Sequence, residues 1–319
     1  MSKNNYSKLI ETKFKSEALY FGINKVLVAL SGGADSITTA FVIKKIGLEL
    51  IALHCNFHLR NQESDHDMKF VDDFCRSLEI PLHTIDFDVK GYLKVNKGIS
   101  IEMACRNLRH EWFENKLNET GYDRLVTGHN ADDNIETFLL NIFRGSGTRG
   151  LKAMTNDNCK IWRPLLSFHR HEILNYINEN KLKFVVDSTN LKSDYRRNYL
   201  RNEIIPSLKK EWNGLDSAID KTISNIQAEN KIVEYSLNAK LPDYGQPLSV
   251  HTVLNFPAPL LLIKRFIDPL EPFTTTPEEV LSAIFAKKPH IRKWRLKRGM
   301  LYLRNGNLSI EMGHGESCS

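Results

Sequence analysis

Two groups of polar residues in the first half of the chain have the types and spacing needed to bind a phosphate and a cation. The first group is a loop that comprises Ser31, Gly32, Gly33, Ala34, Asp35 and Ser36. Its glycines permit positive φ and close backbone approach, so hydroxyls and free N–H groups can surround an anion. An ordinary glycine turn between a strand and a helix is the alternative interpretation.

The second group is acidic and consists of Asp132, Asp133 and Glu136, at the start of a predicted helix with Asn130 as its N-cap. Each carboxylate gains roughly 0.3–1 kcal/mol from the helix dipole, but the three repel one another. A cation relieves this repulsion, and either Mg²⁺ or the ammonium group of a substrate suits carboxylate oxygens. The alternative is an acidic cluster that only complements the dipole.

Two arginines, Arg106 and Arg109, share one face of a helix predicted over residues 100–120. Like charges at this spacing repel each other by a few tenths of a kcal/mol, and an anion between them would reverse the effect. The functional interpretation is therefore a phosphate contact. The alternative is a solvated helix face that a Glu102–Arg106 ion pair braces.

Other basic residues are candidates for contact with an RNA backbone. Arg144 and Arg149 lie in a glycine-rich loop, predicted to be flexible, that could close over phosphate or RNA. Residues 160–212 contain eleven Lys or Arg against six Asp or Glu, and Arg197 and Arg201 share a helix face. Charged runs are usually solvated surfaces, but beside an RNA substrate a backbone contact becomes the better interpretation.

A second basic segment lies near the end of the sequence. Residues 287–304 contain eight Lys or Arg and no Asp or Glu, with aromatic residues interleaved. Their alternation predicts a strand, and Asn305-Gly306 predicts a hairpin turn. We expect Arg295 and Lys297 of this hairpin to lie along a phosphate backbone.

A predicted α/β fold positions these residues. The continuous apolar run over 26–30 is typical of a strand buried on both faces in a parallel sheet. Further strands are predicted over 48–57, 82–89 and 125–128, alternating with helices. Ligands bind at the carboxyl ends of such strands. The second strand brings the following side chains to that edge: His54, Asn56, His58 and Arg60. For a lone histidine there, a structural role is the favoured interpretation.

The sequence changes character after residue 214. Heptad-like spacing of apolar residues over 215–240 predicts a long connecting helix, and proline and glycine then interrupt the chain. We predict a Rossmann-like parallel sheet with a phosphate loop over 1–214, a helical linker over 215–240 and a small basic α+β domain over 241–319.

Composition excludes several classes of protein. The 319 residues carry a formal net charge of +6 and 41% hydrophobic residues, which is ordinary for a soluble globular protein. Five scattered cysteines without a C-x-x-C motif indicate reduced thiols in the cytoplasm and disfavour a zinc or iron–sulfur site. No apolar run is long enough to span a membrane. The basic N-terminal segment lacks the apolar stretch of a signal peptide.

The motifs follow one another in an order that resembles a known family. The loop S-G-G-x-D-S is similar to that of the PP-loop ATP pyrophosphatases. With it come N-x-H-L-R from residue 56, E-x-A-x-R-x-x-R from 102, G-H-x-x-D-D-x-x-E-T from 128 and R-G-S-G from 144. This series resembles the tRNA(Ile)-lysidine synthetases, and the likeness continues through R-P-L-L, D-S-T-N and R-R-N to about residue 212. One departure is Phe57, where many relatives have histidine; here His58 follows one place later.

The resemblance implies a two-step reaction that uses ATP and Mg²⁺. ATP would adenylate the C2 oxygen of the wobble cytidine in an isoleucine tRNA with a CAU anticodon, releasing pyrophosphate. The ε-amine of free L-lysine would then displace AMP to form lysidine. Longer members carry a further C-terminal domain, which would follow residue 319. The sequence does not give the oligomeric state, and a homodimer is compatible with it.

The resemblance also implies roles for individual residues. The catalytic set would be Asp35, Arg106, Asp132, Asp133 and Glu136. ATP and departing pyrophosphate would contact the loop 31–36, Arg106, Arg109, Gly128 and His129. Mg²⁺ would bind Asp35 with Asp132 or Asp133, and lysine would bind Asp133 and Glu136. The remaining substrate contacts would be Asn56, Arg60, Arg144, Arg149, Arg197, Arg201, Arg295 and Lys297.

Two other functions compete with this interpretation. A PP-loop enzyme that 2-thiolates tRNA shares the loop and the substrate class, but generally needs paired cysteines or an iron–sulfur cluster near the site. A non-catalytic RNA-binding relative is the second alternative; loss of Asp35 or of the acidic cluster would favour it, and all of these residues are present. A glutamine-dependent ligase fits less well because no glutaminase module is recognisable.

Overall fold

The computed structural model describes residues 6–59, 62–186, 195–243, 245–270, 275–286 and 292–312. Arg60 and the D-S-T-N motif at 187–190 lie outside these residues. The chain divides into two compact units, Met1–Ile226 and Gln227–Ser319. This division falls within the predicted linker, and the three-part division at 214 and 240 stays a prediction.

The first unit alternates strands and helices. Its first half contains α1 (Tyr6–Phe21), β1 (Lys25–Ala29), α2 (Ala34–Lys45), β2 (Glu49–Asn56), α3 (Gln62–Ser77), β3 (Leu82–Asp86), α4 (Val89–Val95) and α5 (Ile101–Thr120). It continues with β4 (Arg124–Val126), α6 (Ala131–Phe143), α7 (Thr148–Leu151), β5 (Ile161–Trp162), α8 (Arg170–Glu179), α9 (Tyr195–Tyr199), α10 (Ile205–Glu211) and the start of α11 (Leu215–Asn238).

The five strands of this unit form one parallel sheet in the order β3-β2-β1-β4-β5. The predicted Rossmann-like α/β class is therefore confirmed. From β1 the chain moves outward to β2 and β3, and then returns to place β4 on the other side of β1. The reversal of strand order leaves a crevice at the carboxyl ends of β1 and β4, where ligands of open α/β sheets bind. The loop 31–36 follows β1, and the G-H motif follows β4.

Helices cover both faces of the sheet. Val26 and Val28 of β1 belong to a core cluster with residues of α1, α2 and α8, whereas Leu27 packs on the opposite face with Phe113 of α5. Alternate residues of a strand point to opposite faces, so β1 is buried on both sides. This double burial explains why the run 26–30 is continuously apolar.

Local capping sets where the site helices begin. Ser100 accepts a hydrogen bond from the Met103 N–H and caps α5, while Gly121 ends it with φ of 65°. Asn130 and Asp133 form a capping box at the start of α6. The sequence predicts both Ser100 and Asn130 as N-caps, and both are confirmed.

Helical periodicity predicts that Leu9, Leu19, Ile101 and Ile142 face inward, but all four are exposed. Leu9 and Leu19 are 53% and 84% exposed, because α1 buries the stripe Ile10, Phe14, Glu17 and Ala18 instead. A helix of this kind buries a single stripe, and apolar residues beside it stay in solvent.

The second unit has its own core and sheet. Besides the rest of α11 it contains β6 (Leu248–Ser249), α12 (Val250–Leu254), α13 (Pro259–Ile267), α14 (Pro277–Phe285), β7 (Arg292–Leu296), β8 (Gly299–Arg304) and β9 (Asn307–Met312). The strands form an antiparallel sheet in the order β6-β9-β8-β7. The predicted hairpin turn joins β8 to β9, with positive φ at Asn305 and Gly306. The small α+β character of this part is confirmed.

A buried carboxylate holds α1 against the end of the sheet. Glu17, 7% exposed, accepts a hydrogen bond from the indole N–H of Trp162 at 2.9 Å and another from the Asn156 amide at 2.8 Å. Lys13 pairs with the same carboxylate at 3.0 Å. Trp162 itself is fully buried at the end of β5.

We predict that Glu17→Ala destabilises the first unit. The buried Trp162 N–H would lose its acceptor, which costs about 1–3 kcal/mol. The measurement is the free energy of unfolding in urea, followed by tryptophan fluorescence. Lys15→Ala, an exposed change in the same helix, is the matched control and should stay within about 0.5 kcal/mol of the parent. Equal stability of the two variants would contradict this account of the contact.

Candidate active site

Hydroxyl groups and backbone hold the loop between β1 and α2 in one shape. The Ser36 Oγ–H donates to the Gly33 carbonyl at 3.0 Å, and Ser36 Oγ accepts from the Ser31 N–H at 3.2 Å. Gly32 has φ of 90°, a conformation that favours glycine. The Val185 N–H donates to the Gly32 carbonyl at 2.9 Å. The loop is thus organised at the N-terminus of α2, as an anion site requires.

The G-H motif after β4 lies directly against this loop. A Cβ atom on Gly128 would come within 2.9 Å of the Asp35 carbonyl carbon and 3.0 Å of the Ser36 nitrogen. No side chain larger than hydrogen fits without a backbone shift. The two motifs, nearly a hundred residues apart in sequence, therefore meet at the crevice between β1 and β4.

Asp35 is the loop's carboxylate, and it is only partly paired. Its Oδ2 accepts from the Arg170 guanidinium at 3.2 Å, while its Oδ1 is buried without a hydrogen-bond partner among the described residues. Burial raises the pKa of Asp35 to about 6, and Arg170 offsets this only in part. An orphaned carboxylate oxygen beside a phosphate loop has the chemistry of a ligand for a hard cation.

Asp132 is held apart from the other two acids of its cluster. Its Oδ2 accepts the Arg170 backbone N–H at 2.7 Å and lies 3.4 Å from His169 Nδ1. Burial alone would raise the pKa of Asp132, but the contacts with His169 and with that N–H lower it to about 2. Arg170 thus contacts Asp35 through its guanidinium and Asp132 through its backbone. The three acids all lie in the first turns of α6, but Asp132 has different contact partners from Asp133 and Glu136.

Asp133 and Glu136 form an ion-pair network with two arginines. Glu136 is only 1% exposed, and it accepts from Arg197 Nε at 2.6 Å and from Arg201 Nε at 2.5 Å. Asp133 accepts from the same guanidinium groups at 3.2 Å and 2.9 Å. Arg201 lies in a π-helical turn, Leu200–Ile204, between α9 and α10. Such turns are rare and often occur at functional sites.

This network changes the interpretation of Arg197 and Arg201. Their predicted shared helix face is present, but it faces carboxylates and is not a solvated basic surface. Sequence periodicity could place the two arginines together but could not reveal a partner sixty residues away.

His129, the histidine of the G-H motif, is surrounded by positive charge. Burial, followed by Arg163, Arg197, Arg109 and Arg106, lowers the pKa of His129 to about 3. The imidazole is therefore neutral at pH 7, and its Nδ1 lies 2.8 Å from the Thr127 hydroxyl. Four guanidinium groups around one point create a potential that favours an anion.

Arg109 lies at the cavity beside the phosphate loop, whereas Arg106 does not line it, and the phosphate contact stays a prediction for both. Arg109 lines a cavity of about 290 Å³ that the loop residues Ser31, Gly33 and Asp35 also line, together with His129. The alternative interpretation, a solvated helix face, requires an ion pair between Glu102 and Arg106. No such ion pair occurs in the described part of the chain. Apolar and aromatic side chains complete the wall: Leu53, Cys55, Phe57, Phe113 and Leu125 are among them.

The end of β2 is organised by its own contacts. Asn56 is buried, and its Oδ1 accepts the His58 N–H at 3.0 Å. His54 Nδ1 lies 2.8 Å from the Leu30 carbonyl oxygen, and His58 Nε2 pairs with Asp86 at 2.7 Å. The contacts of His54 and His58 are structural, which is the role that the sequence favoured for a histidine at this edge. Phe57 stacks on Phe87 and lines the cavity.

The remaining basic residues are exposed. Arg144 and Arg149 lie on either side of Gly147, and the segment is more ordered than expected. It contains the one-turn helix α7, and the Asn141 side-chain amide donates to the Gly150 carbonyl at 2.8 Å. In the second unit, Arg295 is exposed on β7 and Lys297 is exposed in the turn to β8.

Three residues of the crevice were missed from sequence. Arg163 contributes to the positive potential, whereas His169 and Arg170 hold Asp132 and Asp35. Arg163 was visible as part of the R-P-L-L motif, which could have assigned it. His169 and Arg170 had no such signal, because only the fold brings α8 beside α6.

The protein can supply few ligands to a metal by itself. Among the described residues, no group of three or more His, Cys, Asp or Glu side chains is arranged to hold an ion. The available donors are Asp35, with its orphaned oxygen, and Asp132. This set fits Mg²⁺, which commonly binds one or two carboxylates and completes its shell with phosphate oxygens and water.

The chain matches a known protein family. A family model described as the PP-loop domain matches residues 3–208, which is most of the chain. The chain therefore belongs to the PP-loop domain family.

Curated relatives define the branch of that family. A tRNA(Ile)-lysidine synthase of Parabacteroides distasonis is 38% identical over 267 residues, covering 83% of this chain and 60% of the relative. One from Petrotoga mobilis is 35% identical over 214 residues, covering 66% of this chain and 68% of the relative. Within the PP-loop family, the chain belongs to the tRNA(Ile)-lysidine synthases. It spans about 60% of the length of the first of these relatives.

A solved structure shares the fold at greater distance. The U34-tRNA thiolase NcsA of Methanococcus maripaludis, with its [4Fe-4S] cluster, aligns with a TM-score of 0.59 and 21% identity. The alignment covers 70% of this chain and 80% of that one. Identity at this level supports the fold alone. Of the helices in the described segments, none is long and apolar enough to cross a membrane.

We predict that Gly128→Ala disrupts the loop and leaves the rest of the fold intact. The added methyl group would press on the Asp35 backbone, and such overpacking costs about 1–3 kcal/mol. ATP affinity, measured by equilibrium dialysis, should fall at least tenfold. Gly147→Ala is the control, because its Cβ would meet nothing within 4 Å. If Gly128→Ala bound ATP as tightly as the control variant does, the close approach would have no functional role.

Proposed function

We propose that the protein uses ATP to attach free lysine to C2 of the wobble cytidine in an isoleucine tRNA with a CAU anticodon. The single observation that carries the proposal is that a separate carboxylate pair, Asp133 and Glu136, lies with its arginines close enough to the phosphate loop for Asp133 and Arg201 to act on the charge of Asp35. The names of the curated relatives support the same reaction.

In the first step, the C2 oxygen of cytidine attacks the α-phosphorus of ATP, and pyrophosphate leaves. The loop 31–36 binds the leaving pyrophosphate through backbone N–H and hydroxyl groups. Arg106 and Arg109 stabilise the charge that develops on the α-phosphate, and Gly128 and His129 contact the nucleotide. Asp35 and Asp132 are the residues that would hold Mg²⁺, and the ion would supply neutralisation of phosphate charge.

In the second step, the lysine ε-amine forms a bond to C2 while the C2–O bond to AMP breaks, and one proton is released. Asp133 and Glu136 bind an ammonium group of lysine. The network of these acids with Arg197 and Arg201 is neutral overall, so an extra cation is favoured only where it replaces a guanidinium. The displaced arginine is then available to bind an RNA phosphate. Asp133 and Glu136 can therefore bind lysine while Arg197 and Arg201 bind RNA, as predicted for each pair.

The basic residues on both units bind the tRNA backbone. Arg144 and Arg149 lie after α6, close in sequence to the carboxylate pair, and Arg295 and Lys297 lie on the β7–β8 hairpin. All four are exposed. Arg60 and Asn56 belong to the same proposal as substrate contacts. The protein acts in the cytoplasm, where its substrates occur, and a homodimer is compatible with the proposal.

Thiolation is less well supported by the cysteines. Burial raises the pKa of the Cys55 thiol to about 12, and it also raises the pKa of Cys105. A thiol that stays protonated at pH 7 is a poor nucleophile and a poor metal ligand. Cys55 does line the cavity, but as a small apolar residue.

The direct test is incorporation of labelled lysine into an isoleucine tRNA transcript with a CAU anticodon, in the presence of ATP and Mg²⁺. Methionine tRNA, which has the same anticodon, is the control substrate. We expect label in the isoleucine tRNA alone. Pyrophosphate release without lysine incorporation would contradict the ligase proposal, and would make sulfur the next nucleophile to try.

We predict that Glu136→Gln impairs the use of lysine more than the formation of pyrophosphate. The variant keeps the side-chain shape but removes one of two charges that would hold the ammonium group. The two partial reactions are measured separately, as tRNA-dependent pyrophosphate release and lysine-dependent AMP release. We expect at least a tenfold difference between the two losses.

Glu203→Gln, an exposed acid in the same π-helical turn as Arg201, is the control. Because Glu136 is buried and paired, its replacement could destabilise the protein. The melting temperatures of both variants are therefore measured, and the partial reactions are compared at a temperature at which both variants are folded. Equal loss of both partial reactions in a folded Glu136→Gln protein would rule out the assignment to lysine.

We also predict that the double variant Arg295→Ala/Lys297→Ala lowers the salt dependence of tRNA binding. Each phosphate contact that is lost reduces the slope of log K against log salt by about 0.7–0.9. The double variant Lys231→Ala/Lys240→Ala removes the same charge from exposed positions of α11 and the residues after it. If the two double variants have the same slope as the parent, the hairpin does not contact the backbone.

A further inference from the structure

A second cavity lies beside the crevice and shares no lining residue with the first. It has a volume of about 520 Å³ and is formed where α8 begins, where α10 ends and where α11 begins. Its walls consist of His169, Lys209, Trp212, Asn213, Gly214, Leu215, Asp216, Ser217 and Asp220. All of them belong to the first unit.

The most conspicuous wall residue is an exposed aromatic. Trp212 ends α10, and Gly214, with φ of 80°, allows the sharp turn into α11. The Trp212 side chain is 59% exposed although it is large and apolar. An exposed indole in a polar cavity offers a flat surface for stacking, which is how proteins bind unpaired bases with little sequence preference.

The polar wall carries more carboxylates than cations. Lys209 pairs with Asp216 at 2.7 Å, and His169 Nε2 lies 3.4 Å from Asp220. Asp132 lies 3.4 Å from His169 and 3.8 Å from Lys209, so three carboxylates surround two cationic groups and the cavity does not favour a phosphate group. Such a wall instead presents donors and acceptors to the edge of a neutral, polar ring.

The carboxylates of this wall are within reach of a bound ring. The Asp216 and Asp220 side chains are 29% and 40% exposed, although Asp216 Oδ1 itself is buried. Carboxylates are the side chains that accept from the exocyclic amino group of cytosine. A base with an amino group therefore complements this wall better than one without.

A short chain of contacts joins this cavity to the phosphate loop. Asp132 lies 3.8 Å from Lys209 and 3.4 Å from His169, and it accepts the Arg170 backbone N–H. Arg170 in turn donates to Asp35 of the loop at 3.2 Å. A ring bound against Trp212 is thus a near neighbour of the residues proposed to act on the target base.

We propose that this cavity binds a second, unstacked, amino-bearing nucleobase of the RNA substrate, stacked on Trp212, next to the base that is modified. The inference rests on the proposed function for its substrate. Holding a neighbouring base would fix the anticodon loop in the splayed form that presents a single base to the crevice, as single-stranded RNA recognition generally requires.

The test is binding of an anticodon stem-loop of the isoleucine tRNA to the full chain, measured by fluorescence anisotropy. Trp212→Ala should weaken binding about tenfold to a hundredfold, and Trp212→Phe, which can still stack, about threefold or less. Tyr20→Ala removes another exposed aromatic of the first unit and should have no effect. Unchanged affinity in Trp212→Ala, with unchanged melting temperature, would overturn the proposal.

A second measurement does not depend on that variant's folding. Stem-loops with one abasic position at a time are bound to the parent and to Trp212→Phe. In the parent, one position should cost about tenfold, and replacing its base by one without an amino group should cost severalfold. Quenching of tryptophan fluorescence by RNA should be present in the parent and reduced in Trp212→Phe. Equal quenching in both proteins, or no sensitive position besides the target cytidine, would overturn the proposal.

These results separate the cavity from the reaction. If the parent incorporates lysine but Trp212→Ala keeps its RNA affinity and its KM for tRNA, the cavity proposal fails and the ligase stands. If Trp212→Ala loses RNA affinity while the parent never incorporates lysine, the base-binding cavity stands and the ligase fails. ATP affinity should be unchanged in all Trp212 variants, because no residue lines both cavities.

Discussion

Two carboxylates and two guanidinium groups form the network on which the candidate site depends: Asp133 and Glu136 against Arg197 and Arg201. Glu136 is almost completely buried, and a buried charge left without its partner costs about 3–5 kcal/mol. The network therefore holds the π-helical turn after α9 against α6, and through α6 against the end of β4. Because the network is neutral, a cation can bind to its carboxylates only if it displaces one of the guanidinium groups.

The other half of the crevice follows the opposite logic. Around the phosphate loop, Arg106, Arg109 and Arg163 form no ion pair with a carboxylate among the described residues, and the imidazole of His129 stays neutral among them. Asp35 keeps one oxygen unpaired there. This half thus favours an anion, whereas the ion-pair network is neutral and accepts a cation only in exchange for a guanidinium. Arg170, with contacts to Asp35 and Asp132, lies where the two halves join.

The sequence was sufficient for much of this description, and the reasons are local. Continuous apolar strands, the glycine loop and the Asn130 cap depend on neighbours in the chain, so β1, the loop and α6 could be predicted. The partners of Arg197 and Arg201 could not, because they come from a helix sixty residues earlier that only the fold brings close. Arg170 and the cavity at Trp212 were missed for the same reason. Exposed apolar residues such as Leu19 were misassigned because helical periodicity alone does not say which side of a stripe is covered.

The most direct test of the two-halved site is to withhold lysine. The protein is mixed with Mg²⁺, isoleucine tRNA and ATP that is labelled at its α-phosphate. The products are followed by rapid quench before and after lysine is added. The account predicts one equivalent of pyrophosphate per site and label attached to the tRNA, followed by release of AMP when lysine arrives. Ornithine, one methylene shorter, should release it more slowly. Pyrophosphate formation that requires lysine, or AMP that never becomes attached to tRNA, would contradict the account.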